Sequence, residues 1–543
     1  MILQNRNGTL LLELKFGVNT LKKSIAFLLV LFLLASLCGC DREQGSHIIN
    51  FQGTQVPNNI DPLLASTQSE KMVMENVFES LFSINNQGTV EPQCALGYSI
   101  TNANTCVVTL RENLMWANGQ AITPNDFVFA LQRAVSPETK ASCAGQLTCI
   151  KGATEILQGK QPATTLGVTA TENGLVFTLV GKAETLLAAL AGPAGIPCNQ
   201  AFFEECKGRY GTSREHVLSN GPFGLKGWSK EDPDIFVRLV RNEKYWGAQS
   251  VRPSGAYFTF GTVQEGYDLL SEGKIDGTLL SGDLISSAKE QEYTLLSHDD
   301  QTYGLLLNTK GRKEMKNASL RKALVGVIDR AQLATYLPLS CKGASGVVMP
   351  GSFYATKPYP QTNGFVNDLK GEATQNFNKA LKDLGADALK DFELWYVETE
   401  GTRSAVDYMV QCWQKEFGLY VTLKPVSQSE LWYGLENGYC HLGIGKISQN
   451  GGNSLEMLKE FSFAGEHSQN GFTDKQYDKL LTTAEQSGEL AHQQQCEAYL
   501  LNQGYLLPLY TTQTFYAFDK SVIDIGLNGY SRVLSLEKAG KTN

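Results

Sequence analysis

The segment Trp116-Ala-Asn-Gly-Gln-Ala-Ile-Thr-Pro-Asn-Asp-Phe127 concentrates the folding signals of this chain. Its Asn118-Gly119 dipeptide favours a hairpin turn, because asparagine and glycine tolerate the positive φ angles that such a turn needs. Thr123 precedes Pro124, and a hydroxyl N-cap followed by proline at the first helical position predicts the start of a helix. The segment therefore predicts a turn and then a helix that runs to about Val135.

Outside this segment, strand and helix patterns alternate along the chain. β-branched runs predict strands, and apolar residues at helical spacing predict helices. In the second half this alternation predicts βαβ units, an α/β fold and a mostly parallel sheet. The predicted elements there are strands at 304–308, 392–397 and 420–426 and helices at 319–336 and 404–417.

The composition is that of a large folded protein. Of 543 residues, 42% are hydrophobic and only 19% are charged, so both marks of disorder, low hydrophobicity and high charge density, are absent. At about 150 residues per domain, the length predicts roughly three or four domains. The formal net charge of -8 disfavours nucleic acid and anionic lipid as main partners, because both are polyanions.

The N-terminal region predicts export. Two lysines at 22–23 precede an uncharged apolar run at 25–37, which is shorter than the roughly 20 residues of a membrane span. The run ends in Leu-Cys-Gly-Cys40, which resembles a bacterial lipobox, so 1–39 is the expected signal peptide and Cys40 the expected lipidation site. Cys38 is the other candidate, and a signal anchor or secretion without lipid are the alternatives. Acyl chains on Cys40 would attach the protein to the cell membrane, facing the periplasm or the exterior.

Ten of the 12 cysteines follow this export signal. No Cys-x-x-Cys occurs and the six histidines lack zinc-site spacing, so no metal site is expected. Outside the cytosol, thiols can form disulfides, and the alternative is that each cysteine is a buried free thiol that packs as a small apolar residue. The pairs close in sequence are Cys94/Cys106, Cys143/Cys149 and Cys198/Cys206.

Six segments match, in order, the motifs of one protein family. They are residues 116–128, 219–228 with Asn-Gly-Pro ahead of a tryptophan, 238–247 with Tyr-Trp-Gly, 271–276, 472–480 and 507–510. Each match is weak alone, but the common order over about residues 48–520 is specific. On these segments the chain resembles the peptide/nickel-type (family 5) bacterial extracellular solute-binding proteins, the oligopeptide- and dipeptide-binding group of ABC transporters.

The resemblance implies an α/β, two-lobed periplasmic-binding-protein fold with a hinge and an extra subdomain on lobe one. By position, lobe one would comprise 41–78, 186–300 and 513–543, the subdomain 79–185, and lobe two 301–512. The implied function is capture of a peptide or peptide-like ligand between the lobes and its delivery to the permease subunits of an ABC importer. The resemblance implies a monomer that uses no cofactor.

The resemblance also implies where the ligand is contacted. Ser66, Thr67 and Gln68 precede the first helix at a position that lines the cleft in family members, although a plain N-cap explains them equally well. Tyr303 begins the first strand of lobe two, where it could wall a side-chain pocket or simply pack. Trp432, just before a helix, occupies a place where the family often has a cleft aromatic. Tyr510 of the Leu-Pro-Leu-Tyr segment completes this group.

One departure from the family concerns the α-ammonium of a bound peptide. Family members commonly carry Trp-x-x-Asp after the next strand, and its Asp receives the α-ammonium. Here Ile447 and Asn450 take those places, and no acid lies between His441 and Leu455. A charge-assisted hydrogen bond is roughly twice as strong as a neutral one. Either the α-amine is therefore anchored elsewhere, or the ligand lacks a free one there. Because this segment has no carboxylate, we expect N-acetylation of a bound peptide to cost only about 0.5–1.5 kcal/mol, the scale of a neutral hydrogen bond.

Catalytic motifs are of chance quality. Neither G-x-S-x-G nor H-E-x-x-H occurs, and the S-x-x-K matches at 271–274 and 286–289 have no K-T-G partner. The sequence therefore predicts a binding protein and not an enzyme. The alternatives to general peptide capture are a receptor for cell-wall-derived peptides or a non-peptide solute, and a surface lipoprotein with an adhesin role.

Overall fold

A computed structural model describes residues 47–85, 87–231, 233, 235–361, 371–449, 453–462, 472–529 and 531–542. The predicted lipidation site Cys40 and the predicted ligand residue Asn450 lie outside these residues.

The first described elements are a strand and a helix of lobe one, followed by the small subdomain. Their bounds are β1 (Ile48–Gly53), α1 (Gln68–Val77), β2 (Phe82–Ile84), β3 (Val90–Pro92), β4 (Ala95–Asn102), β5 (Thr105–Leu110), α2 (Pro124–Val135), α3 (Ala153–Leu157), β6 (Val168–Thr171), β7 (Gly174–Thr178) and α4 (Ala183–Leu190). Strands β4, β5, β7 and β6 form, in this order, an antiparallel sheet. Helix α2 packs against this sheet.

The start of α2 has the predicted geometry. The Oδ2 atom of Asp126 accepts hydrogen bonds from the backbone N–H of Thr123 at 2.7 Å and from its hydroxyl at 3.0 Å, and Pro124 takes the first helical position. In the tight turn ahead of α2, Gly119 has a φ of 86°, a backbone angle that glycine adopts readily. The turn and the helix predicted from residues 116–127 are confirmed.

The chain then returns to lobe one and crosses into lobe two. The elements are α5 (Gln200–Glu205), β8 (Phe223–Ser229), β9 (Phe236–Arg241), β10 (Gly255–Phe260), α6 (Val263–Ser271), β11 (Gly277–Leu280), α7 (Leu284–Glu290) and the long crossing strand β12 (Thr294–Leu307).

Lobe two contains most of the remaining helices, and a second long strand leaves it. The elements are α8 (Ala318–Gly326), α9 (Arg330–Ala334), β13 (Cys341–Gly343), β14 (Phe353–Tyr354), β15 (Lys357–Pro358), α10 (Ala373–Leu384), β16 (Glu393–Val397), α11 (Glu400–Phe417), β17 (Thr422–Val426), α12 (Gln428–Glu436), β18 (Leu442–Gln449), α13 (Ser454–Lys459), α14 (Lys475–Ser487), α15 (Leu490–Asn502) and β19 (Leu506–Phe518). Four short strands follow: β20 (Val522–Ile523), β21 (Gly526–Leu527), β22 (Leu534–Ser535) and β23 (Gly540–Lys541).

One large sheet passes through both lobes. Its order is β17-β16-β18-β12-β19-β11-β1-β10-β9-β8, with β13 paired to β19. Strands β12 and β19 pair over almost their whole length, from Thr294 opposite Phe518 to Leu306 opposite Leu506. The two lobes are therefore joined by a pair of adjacent crossing strands.

The prediction of a mostly parallel sheet is wrong at its centre. β16 is parallel to β17 and to β18, but β12 is antiparallel to both of its neighbours, β18 and β19. The chain enters lobe two on β12 and leaves it on β19, so adjacent crossing strands must run in opposite directions. The strand predicted at 304–308 is the second half of β12, which places Tyr303 inside a strand and not at its start.

The helix predicted at 319–336 is two helices. α8 ends at Gly326, and α9 starts after Asp329. The side chain of Asp329 accepts hydrogen bonds from the backbone N–H groups of Ala331 and Gln332 at 3.0 and 3.1 Å. Asp329 is the N-cap of α9 and has non-helical backbone angles, so the helical path of α8 does not continue through it.

The largest apolar clusters lie in different parts of the fold. One contains residues between Tyr303 and Tyr510, a second contains residues between Leu63 and Leu218, and a third joins Ile49 and Phe258 to the C-terminal strands. None of the described helices is long and apolar enough to cross a membrane. The exact boundaries of the lobes and the subdomain stay a prediction.

The cysteines of the described chain are free thiols and do not form disulfides. All ten cysteines after the export signal are free, and nine of them are buried. None of the pairs close in sequence is bonded; Cys94, for example, donates its thiol hydrogen to Glu79 Oε2 at 3.2 Å. The three pairs considered from the sequence do not form disulfides, and these residues pack as small apolar side chains.

Candidate ligand-binding site

A cavity of about 940 Å³ lies beside the crossing strands. This volume is near the upper end of the range for ligand pockets, about 300–1,000 Å³. Its walls come from both lobes, the subdomain and the C-terminal segment. They include Ser66, Thr67, Gln68 and Lys71 around the start of α1, His298, Asp300 and Gln301 on β12, Gln513 and Thr514 on β19, and Glu456, Met457 and Glu460 at α13.

Ser66 and Thr67 form the N-terminal cap of α1 at this wall. The Oε2 atom of Glu70 accepts hydrogen bonds from the backbone N–H of both residues at 3.0 Å, and its Oε1 atom accepts from the N–H groups of Asn58 and Asn59 at 3.1 Å. Burial opposes ionisation of Glu70, but these backbone hydrogen bonds outweigh burial and lower its pKa. The capping role is thus established, and ligand binding by Ser66 and Thr67 stays a prediction.

Gln68 connects α1 to the crossing strands. Its side-chain amide donates a hydrogen bond to the hydroxyl of Tyr516 on β19 and lies 3.5 Å from Nε2 of His298 on β12. Burial lowers the pKa of His298, which favours the neutral form of its ring. Gln68 also lines the cavity, which places it where lobe one, the crossing strands and a ligand would meet.

Tyr303 and Tyr510 lie together, but outside the cavity wall. They are opposite each other on β12 and β19, with ring centroids 5.2 Å apart and ring planes within 6° of parallel. The Tyr510 hydroxyl lies 2.7 Å from Thr399 Oγ1 and 2.6 Å from Thr402 Oγ1, and the ring is fully buried. These contacts account for both aromatic residues by packing, and their predicted contact with ligand stays untested.

Trp432 lies within a helix and not before one. The capping box of Ser427 and Glu430 starts α12 at Gln428, four residues earlier. The Trp432 side chain is half-buried against the core of lobe two and is not part of the cavity wall. Among the predicted ligand residues that the structure describes, only Ser66, Thr67 and Gln68 are brought together at the cavity.

Acidic side chains dominate the charge of the cavity wall. The described lining contains two lysines, Lys71 and Lys538, and no arginine. Its carboxylates outnumber these lysines four to one; they are Glu75, Glu79, Glu91, Asp300, Glu456, Glu460, Asp524 and Glu537. A cavity wall with an excess of acidic groups attracts ions of the opposite sign, so the site favours positively charged groups.

Two of these acids, Glu75 on α1 and Glu79 just beyond its C-terminal end, have strongly perturbed pKa values. Burial raises the pKa of Glu75 and of Glu79 to about 7, although hydrogen bonds to each carboxylate oppose this shift. Glu79 accepts hydrogen bonds from the hydroxyl of Tyr245 and from the indole N–H of Trp246, the latter at 2.6 Å. The cavity therefore gains negative charge as the pH rises through neutrality.

Comparison with known proteins identifies the family. The sequence model described as "Bacterial extracellular solute-binding proteins, family 5 Middle" matches residues 89–469, which is most of the chain. The chain belongs to this family. The resemblance inferred from residues 116–128 and the later segments is therefore confirmed, and the protein is an exported solute-binding protein.

Relatives of this family 5 protein match over most of its length. The dipeptide-binding protein of Lactococcus lactis subsp. cremoris is 26% identical over 503 residues, covering 87% of this chain and 90% of that protein. YgiS of Escherichia coli, named a probable deoxycholate-binding periplasmic protein, is 24% identical over 485 residues, covering 85% and 88%. The structure of Listeria monocytogenes OppA bound to peptide is similar with a TM-score of 0.73 and 24% identity, covering 92% of this chain and all of that one. The two-lobed α/β fold is therefore shown.

The acidic wall of this solute-binding protein was missed in the sequence. Lys71 and Glu75 lie four residues apart, a spacing that puts them on one face of α1, and Glu79 follows two residues beyond the end of that helix. That signal was visible, but a charged helical face is usually solvated, and nothing local shows that this one lines a cavity. Asp300, Glu456 and Glu460 come from distant segments, so only the tertiary fold brings them there.

Proposed function

We propose that this protein captures peptides in the cavity beside the crossing strands and delivers them to the permease subunits of an ABC importer. The observation that carries the proposal is the cavity itself, large, polar and walled by both lobes of a family 5 fold. Polar side chains from separate segments can hydrogen-bond an extended main chain, and water in a roomy cavity adapts to varied side chains. Relatives named for dipeptide and oligopeptide binding support the same ligand class.

The contacts of the subdomain with lobe two support closure over a ligand. Lys182 Nζ lies 2.5 Å from Glu489 Oε1 across this boundary. Gly88, at the turn of the β2–β3 hairpin, has a φ of 81°, and a Cβ atom there would lie only 2.5 Å from the carbonyl oxygen of Thr356. These contacts separate if the lobes open, and β12 and β19 are the segments that would absorb the motion.

We expect a saturating peptide to make the protein more compact. Native mass spectrometry of gently purified protein should first reveal a copurifying peptide, and calorimetry should confirm that the synthetic peptide binds. Small-angle scattering should then show a smaller radius of gyration with peptide than without it. An unchanged radius at confirmed saturation would contradict hinged closure, and a copurifying ligand that is not a peptide would contradict the proposed ligand class.

The second candidate is a non-peptide solute. The observation that favours it is the relative named for deoxycholate, which covers as much of the chain as the peptide-binding relatives do. The eight carboxylates of the wall argue against an anionic steroid, because like charges would repel it. Calorimetry with deoxycholate beside the peptide separates the two candidates.

The N-terminal motif supports the proposal of a lipid anchor. Cys40 follows Leu37 and Gly39 at the end of a short apolar run, which is the pattern of an acylated cysteine in an exported lipoprotein. An anchor of more than one acyl chain would keep the receptor at the membrane that holds its permease.

Lipidation is tested by metabolic labelling with a clickable fatty acid. We expect the wild-type protein to be labelled and Cys40→Ala to lose nearly all label, since the acyl chains need that thiol. Cys38→Ala is the matched control and should retain label. Equal labelling of wild type and Cys40→Ala would exclude Cys40 as the anchor.

A further inference from the structure

Asp300 occupies an irregular position on the crossing strand β12. Asp299 pairs with Gln513 on β19 and Gln301 pairs with Thr512, so Asp300 has no partner on β19. An extra residue of this kind is a β-bulge, which turns a side chain away from the regular alternation of the strand. Asp300 lines the cavity at this point.

Asp300 differs from the other carboxylates of the wall in its contacts. Six of the others have hydrogen-bonding or ion-pair partners within the protein, and Glu460 also interacts. Within the described part of the chain, neither a hydrogen bond nor a close ion pair reaches the carboxylate of Asp300. The carboxylate interacts only through longer-range electrostatic attraction with His298, Lys71 and Lys446.

Lys71 is a positively charged residue in the wall of the same cavity. It lies on α1 and lines the same space, and no described residue forms a hydrogen bond or close ion pair with its ammonium group. Burial lowers the pKa of Lys71 and raises that of Asp300, although the mutual attraction of the two charges opposes both shifts. Each group has lost water without gaining a partner, so each gains from a ligand group of opposite sign.

We propose that Asp300 accepts hydrogen bonds from an ammonium group of the bound peptide while Lys71 donates to a carboxylate or carbonyl oxygen of the same peptide. This inference rests on the proposed function and names the residues that select the ligand by charge. The segment between His441 and Leu455, where the family resemblance led us to expect an acceptor for the ammonium, contains no acidic residue. Asp300 lies on β12, one of the two strands that cross between the lobes, so the protein would recognise the charge of the ligand where the lobes join.

The test compares three pools of random tripeptides. The first has a free amine and no lysine, the second is N-acetylated and lacks lysine, and the third is N-acetylated and contains lysine. Each pool is offered to immobilised protein, and retained peptides are quantified by mass spectrometry. The variants are Asp300→Asn, Asp300→Ser as a smaller alternative, and Asp299→Asn. Asp299 is the matched control, because it is the adjacent carboxylate, accepts from Gln513 at 3.1 Å and lies off the cavity wall.

We expect the wild type to retain ammonium-bearing peptides about tenfold to a hundredfold better than the second pool, as a charge-assisted bond implies. The first pool binding best would identify the N-terminal ammonium, and the third pool binding best would identify a lysine side chain. In both Asp300 variants, the ratio of retained ammonium-bearing peptide to retained second-pool peptide should fall to near one. In Asp299→Asn this ratio should stay as high as in the wild type. Thermal melting curves that match the wild type show that a variant is folded.

Three results would overturn the inference. If the Asp300 variants keep the wild-type preference, another group binds the ammonium. If the wild type retains all three pools equally, the protein binds peptides but does not recognise an ammonium group. If the wild type retains no pool at all, the proposed peptide function fails together with the inference. Lys71→Gln should weaken the binding of all three pools. The loss should be smaller for the same pools with an amidated C-terminus, because those peptides have no terminal carboxylate for Lys71 to bind.

Discussion

Asp61→Ala is expected to lower the free energy of unfolding by about 3–5 kcal/mol, because it leaves the guanidinium of Arg133 buried without a counter-ion. The Nη2 atom of Arg133 lies 2.7 Å from Asp61 Oδ2, and the two side chains are only 9% and 2% exposed. The guanidinium also lies 4.0 Å from the ring centre of Phe203. Its Nη1 atom donates to Cys198 Sγ at 3.4 Å, but neither an aromatic ring nor a thiol neutralises a buried cation as a carboxylate does.

The pair joins two parts of the fold. Asp61 precedes α1 in lobe one, and Arg133 lies near the end of α2 in the subdomain. Chemical denaturation followed by circular dichroism should therefore show a lower midpoint for Asp61→Ala. The double variant Asp61→Leu/Arg133→Met should recover much of the loss, since it removes both charges and leaves apolar volume in their place.

The exposed pair between Lys182 and Glu489 gives the matched control. Its side chains are 45% and 62% exposed, so solvent screens the attraction. Glu489→Gln should change the free energy of unfolding by less than about 1 kcal/mol. If Asp61→Ala is as mild as this control, water reaches Arg133 in solution and the buried-charge argument is wrong.

Local chemistry explains which elements were predictable from sequence. The start of α2 depends on Thr123, Pro124 and Asp126, which are neighbours in the chain and act within one helical turn. The same holds for α11, which reaches its predicted end at Phe417, where Gly418 adopts a φ of 63°. Signals of this kind need no information about the rest of the fold.

Other features depend on distant partners and could not be predicted. The direction of β12 relative to β19 follows from where the chain enters and leaves lobe two, which no local pattern records. The break between α8 and α9 does have a local signal, the capping side chain of Asp329, but aspartate also occurs within helices. Tertiary context therefore decided the direction of the strands, and the helix break could not be predicted because its local signal is ambiguous.

The candidate site shows the same division. The position of Ser66–Gln68 ahead of a helix, taken with the family resemblance, was sufficient to place these residues at the cavity. The resemblance also proposed Tyr303 and Tyr510, which are buried against each other on the crossing strands. Aromatic residues fit a pocket wall and a core equally well, so residue type alone does not distinguish the two.

Trp413→Ala is expected to destabilise lobe two by about 3–5 kcal/mol. Trp413 lies on α11, is fully buried, and donates its indole N–H to the carbonyl oxygen of Leu324 at 2.9 Å. Truncation removes a large apolar surface and leaves a cavity that the surrounding helices fill only partly. It also leaves the Leu324 carbonyl without that donor in a buried place.

The effect should be confined to lobe two, because Trp413 belongs to the apolar cluster between Tyr303 and Tyr510, and Phe258 in lobe one belongs to another cluster. Hydrogen exchange followed by mass spectrometry should show faster exchange in α8 and α11 and little change in β10. Tyr420→Ala is the matched control, since that side chain is 74% exposed and its loss should change stability by less than about 0.5 kcal/mol. Equal acceleration in β10 would show that both lobes unfold as one cooperative unit, so that residues 301–512 would not be a separate unit of stability. Acceleration confined to lobe two would instead support that boundary, with β12 and β19 as the hinge between two separately stable bodies.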